Sequence, residues 1–408
     1  MRTSLTLLLR RAIVGCSALA VLWAPADPAS ARTPADAAHT ARTPARTAHF
    51  AYTAYSAHTG GKPVAQTETL AFAQRYSALQ HGGIVRAANS SISCAGSART
   101  ALPRGSVRTA GPARAAAPTC AAVRRGATAA NGDFDMAYID VDHDPNTYNS
   151  SRAEVRLPKG AHVTYARLYW GGNLRVGEQK PPRDNGRVLI AEPGGAYKDL
   201  RADRVVGHRV ARGADAFQAS ADVTRLVRAS GSGLYTVAQV NEAKGRSAAG
   251  SWGGWTLMVA YEKRSEPLRR LTVWDGFGLL GPGEERVIPL RGQGLPAVLR
   301  GRVGLVAYNG DRGRPGDSLS VSTGRGAPTA LGDAANPRDD VLNSTISEPG
   351  TAATRRVPAY ANTLGYDSDV LELGKGIRRG GDQLAFRIVS QRDAAWVGAL
   401  FAAVDAKQ

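Results

Sequence analysis

The sequence predicts an all-β protein made of two packed β-sandwich, jelly-roll-like units with one short helix. From about Tyr76 onward, short runs rich in β-branched and aromatic residues alternate with Gly, Pro, Asn and Asp. These runs are too numerous for one small sandwich, because such domains hold only a limited number of strands in two sheets. We therefore expect a first β-sandwich over 76–280 and a second over 281–408.

The clearest pair of strands lies within 253–278. Residues 255–261 read as a mostly buried strand, and 263–267 as a polar turn with a proline. Residues 271–274 resume the strand pattern, which Asp275-Gly276 is expected to end as a turn. Similar runs predict further strands at 84–94, 134–141, 153–157, 162–169, 188–191, 205–210, 233–240, 287–290, 301–308, 318–322, 370–372, 384–390 and 397–404.

One helix is predicted, at 219–229. Ser220 fits the N-cap position, since its hydroxyl could accept from the first free backbone amides. Val223, Leu226 and Val227 would then share one face of the helix.

Residues 1–31 have the pattern of a secretory signal peptide. Three arginines precede or flank the start of an apolar run at 12–24, and small residues at 29–31 form a cleavage motif. A lipoprotein box ending at Cys16 is the alternative, although only four residues separate Arg11 from this cysteine. No segment reaches the roughly 20 apolar residues that a spanning helix needs. We expect a secreted, extracellular protein without a membrane span.

Residues 32–75 are expected to form a disordered basic arm of Ala, Arg, Thr and Pro. The chain has a net charge of +18, and 32–132 carry twelve Lys or Arg against two acidic residues. Such composition buries too little apolar area to offset the entropy of ordering. The arm could lie against anionic wall polymers or phospholipid headgroups, or act only as a solvated linker. Nucleic acid is not an expected partner, because the basic residues are not interleaved with aromatic ones.

After signal cleavage two cysteines remain, Cys94 and Cys120. In an oxidising compartment they predict one disulfide. Closing this loop would stabilise the fold by about 3.5 kcal/mol on the chain-entropy estimate. Two free thiols, or a metal held by two cysteines, are the alternatives.

The strongest candidate for a metal site is the acidic segment that begins at Asp140. Alternate residues there supply oxygen ligands, as a calcium loop requires. The segment departs from an EF-hand, since Pro145 replaces the turn glycine and Ser151 the bidentate glutamate. An Asp-Pro-Asn turn without metal is the alternative. Residues 367–369 repeat the pattern more weakly and are read as a turn. The expected Ca²⁺ ligands are Asp140, Asp142, Asp144 and Asn146.

The other candidate for a binding residue is Trp252. It precedes a strand in a Gly-rich loop, where an exposed ring could bind a sugar, and burial in the core is the alternative. No catalytic residues are predicted. Outside the opening segment, the histidines of the folded region, His143, His162 and His208, form no Ser/His/Asp or HExxH pattern, and nothing singles out a carboxyl pair for glycoside hydrolysis. Asp275 is an isolated acid that we read as a turn residue.

Seven stretches, in order, resemble a family of uncharacterised exported bacterial, largely actinobacterial, surface proteins. The similarity covers about 76–408, and in relatives this module often precedes tandem domains of unknown function that resemble immunoglobulin-like stalks. The family implies location and architecture and has no catalytic residues to carry over; its opening segment bears cysteines, as this one does. No stalk repeats or wall-sorting tail follow here, so covalent anchoring is not expected. The stretches are DVDHDPNTYNSS (140–151), LYWGG (168–172), ADVTRLV (221–227), GGWTLMVAYEKRSEPLRRLTVWDGF (253–277), GDRGRPGDSL (310–319), LGDAANPRDDVLNSTIS (331–347) and NTLGYDSDVL (362–371).

Together these observations predict an exported surface or extracellular module with a structural or binding role and no enzymatic activity. Its expected partners are cell-wall polymers or other envelope proteins. The alternatives are a secreted glycan-active hydrolase, or a carbohydrate-binding protein that depends on Ca²⁺. A further possibility is a coat that self-associates through sheet edges.

Overall fold

Strands dominate the part of the chain that the structure describes. The computed structural model describes residues 70–96, 117–291, 298–323, 327–349, 355–374, 377, 383–392 and 394–407. The predicted signal peptide and residues 32–69 of the predicted arm lie outside these ranges. The strands are β1 (Leu70–Ser90), β2 (Ile92–Ala95), β3 (Asp135–Tyr138), β4 (Ser150–Val155), β5 (His162–Asn173), β6 (Arg187–Ala191), β7 (Lys198–Arg201), β8 (Arg204–Ala211), β9 (Ala214–Asp222), β10 (Gly233–Ala238), β11 (Gly253–Glu262), β12 (Leu268–Leu280), β13 (Glu284–Arg291), β14 (Gly301–Tyr308), β15 (Ser318–Ser322), β16 (Thr329–Ala330), β17 (Arg356–Val357), β18 (Tyr366–Glu372), β19 (Gln383–Ser390) and β20 (Ala395–Asp405).

Helical structure is limited to short segments in the described ranges. They are α1 (Cys120–Arg124), α2 (Thr224–Ser230) and two 3-10 turns at Asn131–Asp133 and Pro182–Asp184. The predicted all-β fold class is therefore confirmed. The first strand, β1, begins at Leu70, six residues before the boundary predicted at residue 76.

The predicted helix at 219–229 is wrong in its first half. Residues up to Asp222 belong to β9, which lies between β5 and β8 and is buried on both faces. Such a strand shows no alternation of polar and apolar residues, and its run of small residues resembles a helix. The helix α2 begins only at Thr224, so Ser220 is a strand residue and not its N-cap.

The largest sheet has nine antiparallel strands in the order β18-β14-β20-β12-β1-β11-β5-β9-β8. Its long strand β1 joins two halves. Residues 70–81 of β1 pair with β12, whereas Gly82–Ser90 pair with β11. We call β11, β5, β9 and β8 the first wing, and β12, β20, β14 and β18 the second wing.

A glycine marks the point where β1 changes partners. Gly82 has φ +146°, and a Cβ there would lie 2.0 Å from the carbonyl oxygen of Tyr261. Only glycine fits this position, because any side chain would collide with the neighbouring backbone.

Two smaller sheets cover the outer faces of the wings. The first outer sheet has the order β17-β4-β10-β6-β7, and the second outer sheet has the order β13-β19-β15-β16. Leu168, Trp170 and Leu257 of the first wing share a hydrophobic cluster with residues of the first outer sheet, such as Val188 and Val237. This cluster fixes the first outer sheet on the first wing.

The second outer sheet packs in the same way on the second wing. Val303 and Leu400 share a cluster with Leu319, Phe386 and Ile388 of the second outer sheet. Successive side chains of a strand point to opposite faces. The remaining faces of the two wings are therefore free to meet each other.

The two wings meet through a third cluster. Tyr169 and Met258 of the first wing pack there with Val273, Tyr308 and Phe401 of the second wing. The three larger sheets of the described residues thus form four layers, which are the first outer sheet, the first wing, the second wing and the second outer sheet, while β2 and β3 pair in a separate two-stranded sheet.

The division that the sequence predicts near residue 281 lies at the end of β12. Strands from both sides of that residue pair in the nine-stranded sheet, because β12 lies between β1 and β20. Whether the parts before and after residue 281 fold as separate domains stays a prediction.

Candidate functional site

The acidic segment predicted to bind calcium forms the loop between β3 and β4. The hydroxyl oxygen of Ser150 lies 2.9 Å from Asp140 Oδ1 and 3.0 Å from Asp142 Oδ1, and its single hydrogen is shared between these two acceptors. Asp144 Oδ1 accepts from the backbone amide and the side-chain amide of Asn146, at 2.9 and 2.8 Å. These are the local hydrogen bonds of an Asx-type turn, which needs no metal.

The pKa of Asp142 lies below its ordinary value. Burial opposes this shift, but hydrogen bonds from the hydroxyl of Tyr197, the amide of Asp144 and other donors outweigh burial. No group of three or more His, Cys, Asp or Glu within the described ranges is arranged to hold a metal ion. Calcium bound by Asp140, Asp142, Asp144 and Asn146 stays a prediction, and the hydrogen bonds are those of the alternative turn.

Trp252 is not an exposed binding ring. Its side chain is 0% exposed and packs between the wings, with its ring centroid 5.7 Å from that of Tyr308. The ligand assignment from the sequence is therefore corrected, because a sugar in solvent cannot reach this ring. The glycines on either side of Trp252 allow close packing, because a Cβ at Gly250 would collide with Asn131 and one at Gly253 with Glu242.

The predicted disulfide is confirmed. Cys94, at the end of β2, is bonded to Cys120, the first residue of α1. Both cysteines are buried, in a cluster that also contains Val123 and Phe134. The Thr119 hydroxyl caps α1 by accepting from the amide of Ala122 at 3.2 Å.

Asp275 lies at the centre of a buried charge cluster between the wings. It is a residue of β12 and not of a turn, so the interpretation from the sequence is wrong. Arg75 donates two hydrogen bonds to its carboxylate, at 2.8 and 2.9 Å, and the hydroxyl of Tyr169 donates one at 3.2 Å. Arg167 Nε lies 3.8 Å away. The carboxylate of Asp275 in β12 therefore binds side chains of both β1 and β5.

Glu242 is a second buried acid, and no sequence motif pointed to it. It lies in the segment between β10 and β11, where its carboxylate accepts hydrogen bonds from Ser91 and, at 2.9 Å, from Asn149. Burial raises the pKa of Glu242 to about 8, against the effects of these hydrogen bonds and of Lys180. The carboxyl group is therefore protonated over much of the neutral range.

A further cluster of buried polar side chains lies beside β18. Asp367 and Asp369 are 0% and 1% exposed, and they belong to the strand, contrary to the turn that the sequence suggested. Burial raises the pKa of Asp369 to about 6, and burial together with the charge of Asp369 raises the pKa of Asp367 well above its ordinary value. Each acid therefore has a strong preference for a proton or another positive charge nearby.

A loop that runs from Asn336 to Ser347 covers these two acids. The amide of Thr345 donates to Asp367 Oδ1 at 3.2 Å, and the amide and hydroxyl of Ser347 donate to Asp369 Oδ1 at 2.9 and 2.8 Å. The backbone of the loop also pairs with the free edge of β18, since Ser368 and Val370 donate to its carbonyls. The acid pair is thus closed off from solvent, and a glycan substrate has no route to it in this arrangement.

A glycine makes the close approach of this loop possible. A Cβ at Gly310 would lie 2.1 Å from the carbonyl oxygen of Leu342 and 2.8 Å from Asp367 Oδ2. Gly310, Leu342 and Asp367 therefore meet at distances that leave no room for a side chain. The stretches 310–319, 331–347 and 362–371, which carry the family resemblance, converge around this cluster.

Comparisons with known proteins add little to this geometry. No protein-family model and no curated protein matches the chain. A chain in the atomic structure of Sulfolobus turreted icosahedral virus is 9% identical, with 62% of this chain and 86% of that chain covered and a TM-score of 0.20. The major capsid protein P2 of bacteriophage PM2 is 11% identical, with 65% and 95% covered and a TM-score of 0.18. These scores are too low to carry an argument.

Among the described residues, no helix has the length and apolar character needed to cross a membrane.

Proposed function

We propose that this chain is an exported, structural β-scaffold of the cell surface or extracellular space, without catalytic activity of its own. One observation carries the proposal, namely that buried polar side chains join the layers to one another. Asp275 binds arginines of two other strands, and it does so between the wings. Such groups are costly to bury, and their hydrogen bonds fix the relative position of the sheets.

Gln218 supports the same conclusion. Its side-chain amide, on β9 of the first wing, donates to the carbonyl oxygens of Gly276 and Gly398 of the second wing, at 3.0 and 3.1 Å. Its Oε1 accepts from the hydroxyl of Tyr308 at 3.1 Å. One side chain thus connects four strands, and a rigid scaffold is what such connections produce.

Export is the part of the proposal that rests on the sequence. The pattern of residues 1–31 and the resemblance to exported surface proteins both support it, and an oxidising compartment suits the disulfide between Cys94 and Cys120. The partners we propose are cell-wall polymers or other envelope proteins.

The test of export is expression of the full chain in a bacterial secretion host, beside a chain that lacks residues 1–31. We expect the full chain in the wall and medium fractions, with Arg32 as its new N-terminus, and the truncated chain in the cytoplasm. Cytoplasmic retention of the full chain would contradict the proposal.

The structural role is tested with the exported protein and isolated cell walls. We expect retention on the walls, or concentration-dependent self-association in sedimentation, without release of new reducing ends from the glycan. Release of reducing ends that persists after repeated purification would instead favour the secreted hydrolase.

A further inference from the structure

Four side-chain oxygen atoms lie close together beside β18, and they carry too few hydrogens to form a hydrogen bond at each close contact. The hydroxyl oxygen of Thr345 lies 2.8 Å from Asn336 Oδ1, 2.7 Å from Asn343 Oδ1 and 3.0 Å from Asp369 Oδ1. A hydroxyl has a single hydrogen, so it can donate to one of these three acceptors. A proton on Asp369 would supply one more bond, and one oxygen would still face another without a hydrogen between them.

Reversing the side-chain amides does not relieve this crowding. Asn336 Nδ2 donates to Ser347 Oγ at 2.6 Å, and Asn343 Nδ2 donates to the carbonyl oxygen of Ala335 at 2.8 Å. A reversed Asn343 amide would place its oxygen against the carbonyl oxygen of Ala335, and a reversed Asn336 amide would place its oxygen 3.4 Å from the carboxylate oxygen Oδ1 of Asp333. These two acceptors favour the orientation in which both amide oxygens face Thr345.

The carboxylates add oxygens that have no hydrogen-bond partner among the described residues. Asp369 Oδ2 and Asp367 Oδ2 both lack such a partner, and both side chains are almost wholly buried. An uncompensated buried carboxylate oxygen costs free energy, so such atoms point to a missing positive partner. Two buried arginines, Arg86 and Arg356, act on the charge of Asp369, and the guanidinium of Arg86 donates to the carbonyl oxygen of Ser347.

We propose that Asn336, Asn343, Thr345 and Asp369 form a binding site for a hard cation, calcium, with Asp367 beside it. Calcium takes six to eight oxygen ligands from carboxylates, amide and backbone carbonyls and hydroxyls, at 2.3–2.6 Å. Oxygens bound to one calcium ion therefore lie within about 5 Å of each other. Each of the other three oxygens lies within 3.0 Å of Thr345 Oγ1, and soft or nitrogen ligands are not part of the group.

The ion would fasten the 336–347 loop to β18. Asn336 lies at the start of this loop, Asn343 and Thr345 lie in its last part, and Asp369 lies in the strand, so a cation would hold together segments that are distant along the chain. This site is separate from the loop of Asp140, which the sequence favoured. It also stands apart from the proposed structural role, which does not require an ion.

The test uses the full-length chain, treated with a chelator that is then removed, and CaCl₂ as the only added ligand. Titration calorimetry should show one calcium ion bound, with a dissociation constant of about 10⁻⁴ M, as in extracellular modules. Thermal unfolding should shift upward by several degrees in about 10 mM calcium, well above that constant.

Asp369→Asn is the decisive variant. It removes a charged ligand and supplies an amide donor to the crowded oxygens, so we expect a loss of calcium affinity of about tenfold or more. In chelator the variant should unfold at the same temperature as the original protein or higher. Thr345→Val keeps the shape of the side chain but removes the hydroxyl oxygen, and serves as the second variant if Asp369→Asn fails to fold.

Asp142→Asn is the matched control in the other acidic loop. Calcium binding that survives Asp142→Asn and is lost in Asp369→Asn or Thr345→Val supports the proposal. No calcium binding by the original protein, or binding lost in Asp142→Asn and kept in the other two variants, would overturn it.

Discussion

Arg75 and Asp275 form a two-pronged ion pair across 200 residues of sequence, with Nε and Nη2 of the arginine 2.8 and 2.9 Å from the two carboxylate oxygens. Arg75 lies near the start of β1, and Asp275 lies in β12 with its side chain 1% exposed. Parallel hydrogen bonds of this kind combine charge with fixed geometry. The pair ties the N-terminal strand into the nine-stranded sheet.

Asp275→Asn should destabilise the protein strongly. The substitution leaves Arg167 buried with a weaker set of partners and breaks the pairing with Arg75, and uncompensated buried charges of this kind cost about 3–5 kcal/mol. Urea unfolding monitored by far-UV circular dichroism measures the change in the free energy of unfolding.

Glu285→Gln provides the comparison, since it makes the same type of change in an exposed pair. Glu285 pairs with Arg387, and both side chains are more than 40% exposed. Exposed pairs contribute about 0–1 kcal/mol. Equal effects of the two substitutions would mean that burial of Asp275 has no energetic consequence.

The disulfide gives a second prediction. Replacing Cys94 and Cys120 together by alanine should lower the free energy of unfolding by about 3.5 kcal/mol, because the open chain gains entropy when unfolded. Chemical denaturation of the exported protein, with and without a reductant, measures this. The reductant should have the same effect on the original protein and none on the double variant.

Cys16→Ala is the control for the disulfide. This third cysteine lies in the predicted signal peptide, outside the described residues. The stability of the exported protein should not change with this substitution, and a large loss would mean that Cys16 takes part in the cysteine chemistry of the folded protein.

The positions of the strands could be predicted from the sequence because most of them have apolar runs bounded by turn residues. The predicted strand at 318–322 has the observed bounds, and that at 301–308 does as well. The strand β9 could not be recognised, since burial on both faces removes the alternation on which the prediction depends. Asp275-Gly276 suggests a turn because Asp-Gly is a common turn pair, but the ion pair of Asp275 with Arg75 places it inside β12.

The polar clusters were harder to predict than the strands. Local spacing singled out Asp140 and its neighbours, whose hydrogen bonds come mostly from their own loop and from Ser150, with one from Tyr197. The cluster around Thr345 instead draws on Asn336, Asn343 and Asp369, which only the pairing of the loop with β18 brings together. No spacing rule along the chain describes such a group, although its residues lie in stretches that carry the family resemblance.

Trp252 offers a test of its structural role. Trp252→Ala should cost about 3–5 kcal/mol, as expected for a cavity left by a fully buried aromatic ring. Trp252→Phe should cost less, because Phe fills part of the volume and because Nε1 of Trp252 has no hydrogen-bond partner among the described residues. Denaturation curves distinguish the two variants.

Binding of the Trp252 variants to a glycan array checks that the buried ring of Trp252 has a structural role alone. A stabilising core residue predicts the same array profile for the original protein and for Trp252→Phe. Loss of a specific glycan signal in a variant that remains folded would restore the ligand-binding assignment.

Glu242 makes the stability of the protein depend on pH. Its pKa rises from an ordinary value of 4.5 to about 8 in the folded protein, so between these values the folded state holds a proton that the unfolded state has lost. The stabilisation is complete below pH 4.5 and is lost as the pH rises toward 8. The loss amounts to about 1 kcal/mol for each pH unit.

Glu242→Gln should remove this dependence, since an amide does not titrate. The free energy of unfolding of the variant, relative to the original protein, should therefore improve steadily from pH 5 to pH 8, by about 1 kcal/mol per unit. Asp369 and Asp367 also have raised pKa values and act in the same direction, but they are present in both proteins and cancel in the difference. Lys180 and Glu178, the charged groups that act on Glu242, are likewise unchanged. A difference between the two proteins that stays constant over this range would show that Glu242 is already ionised in the fold.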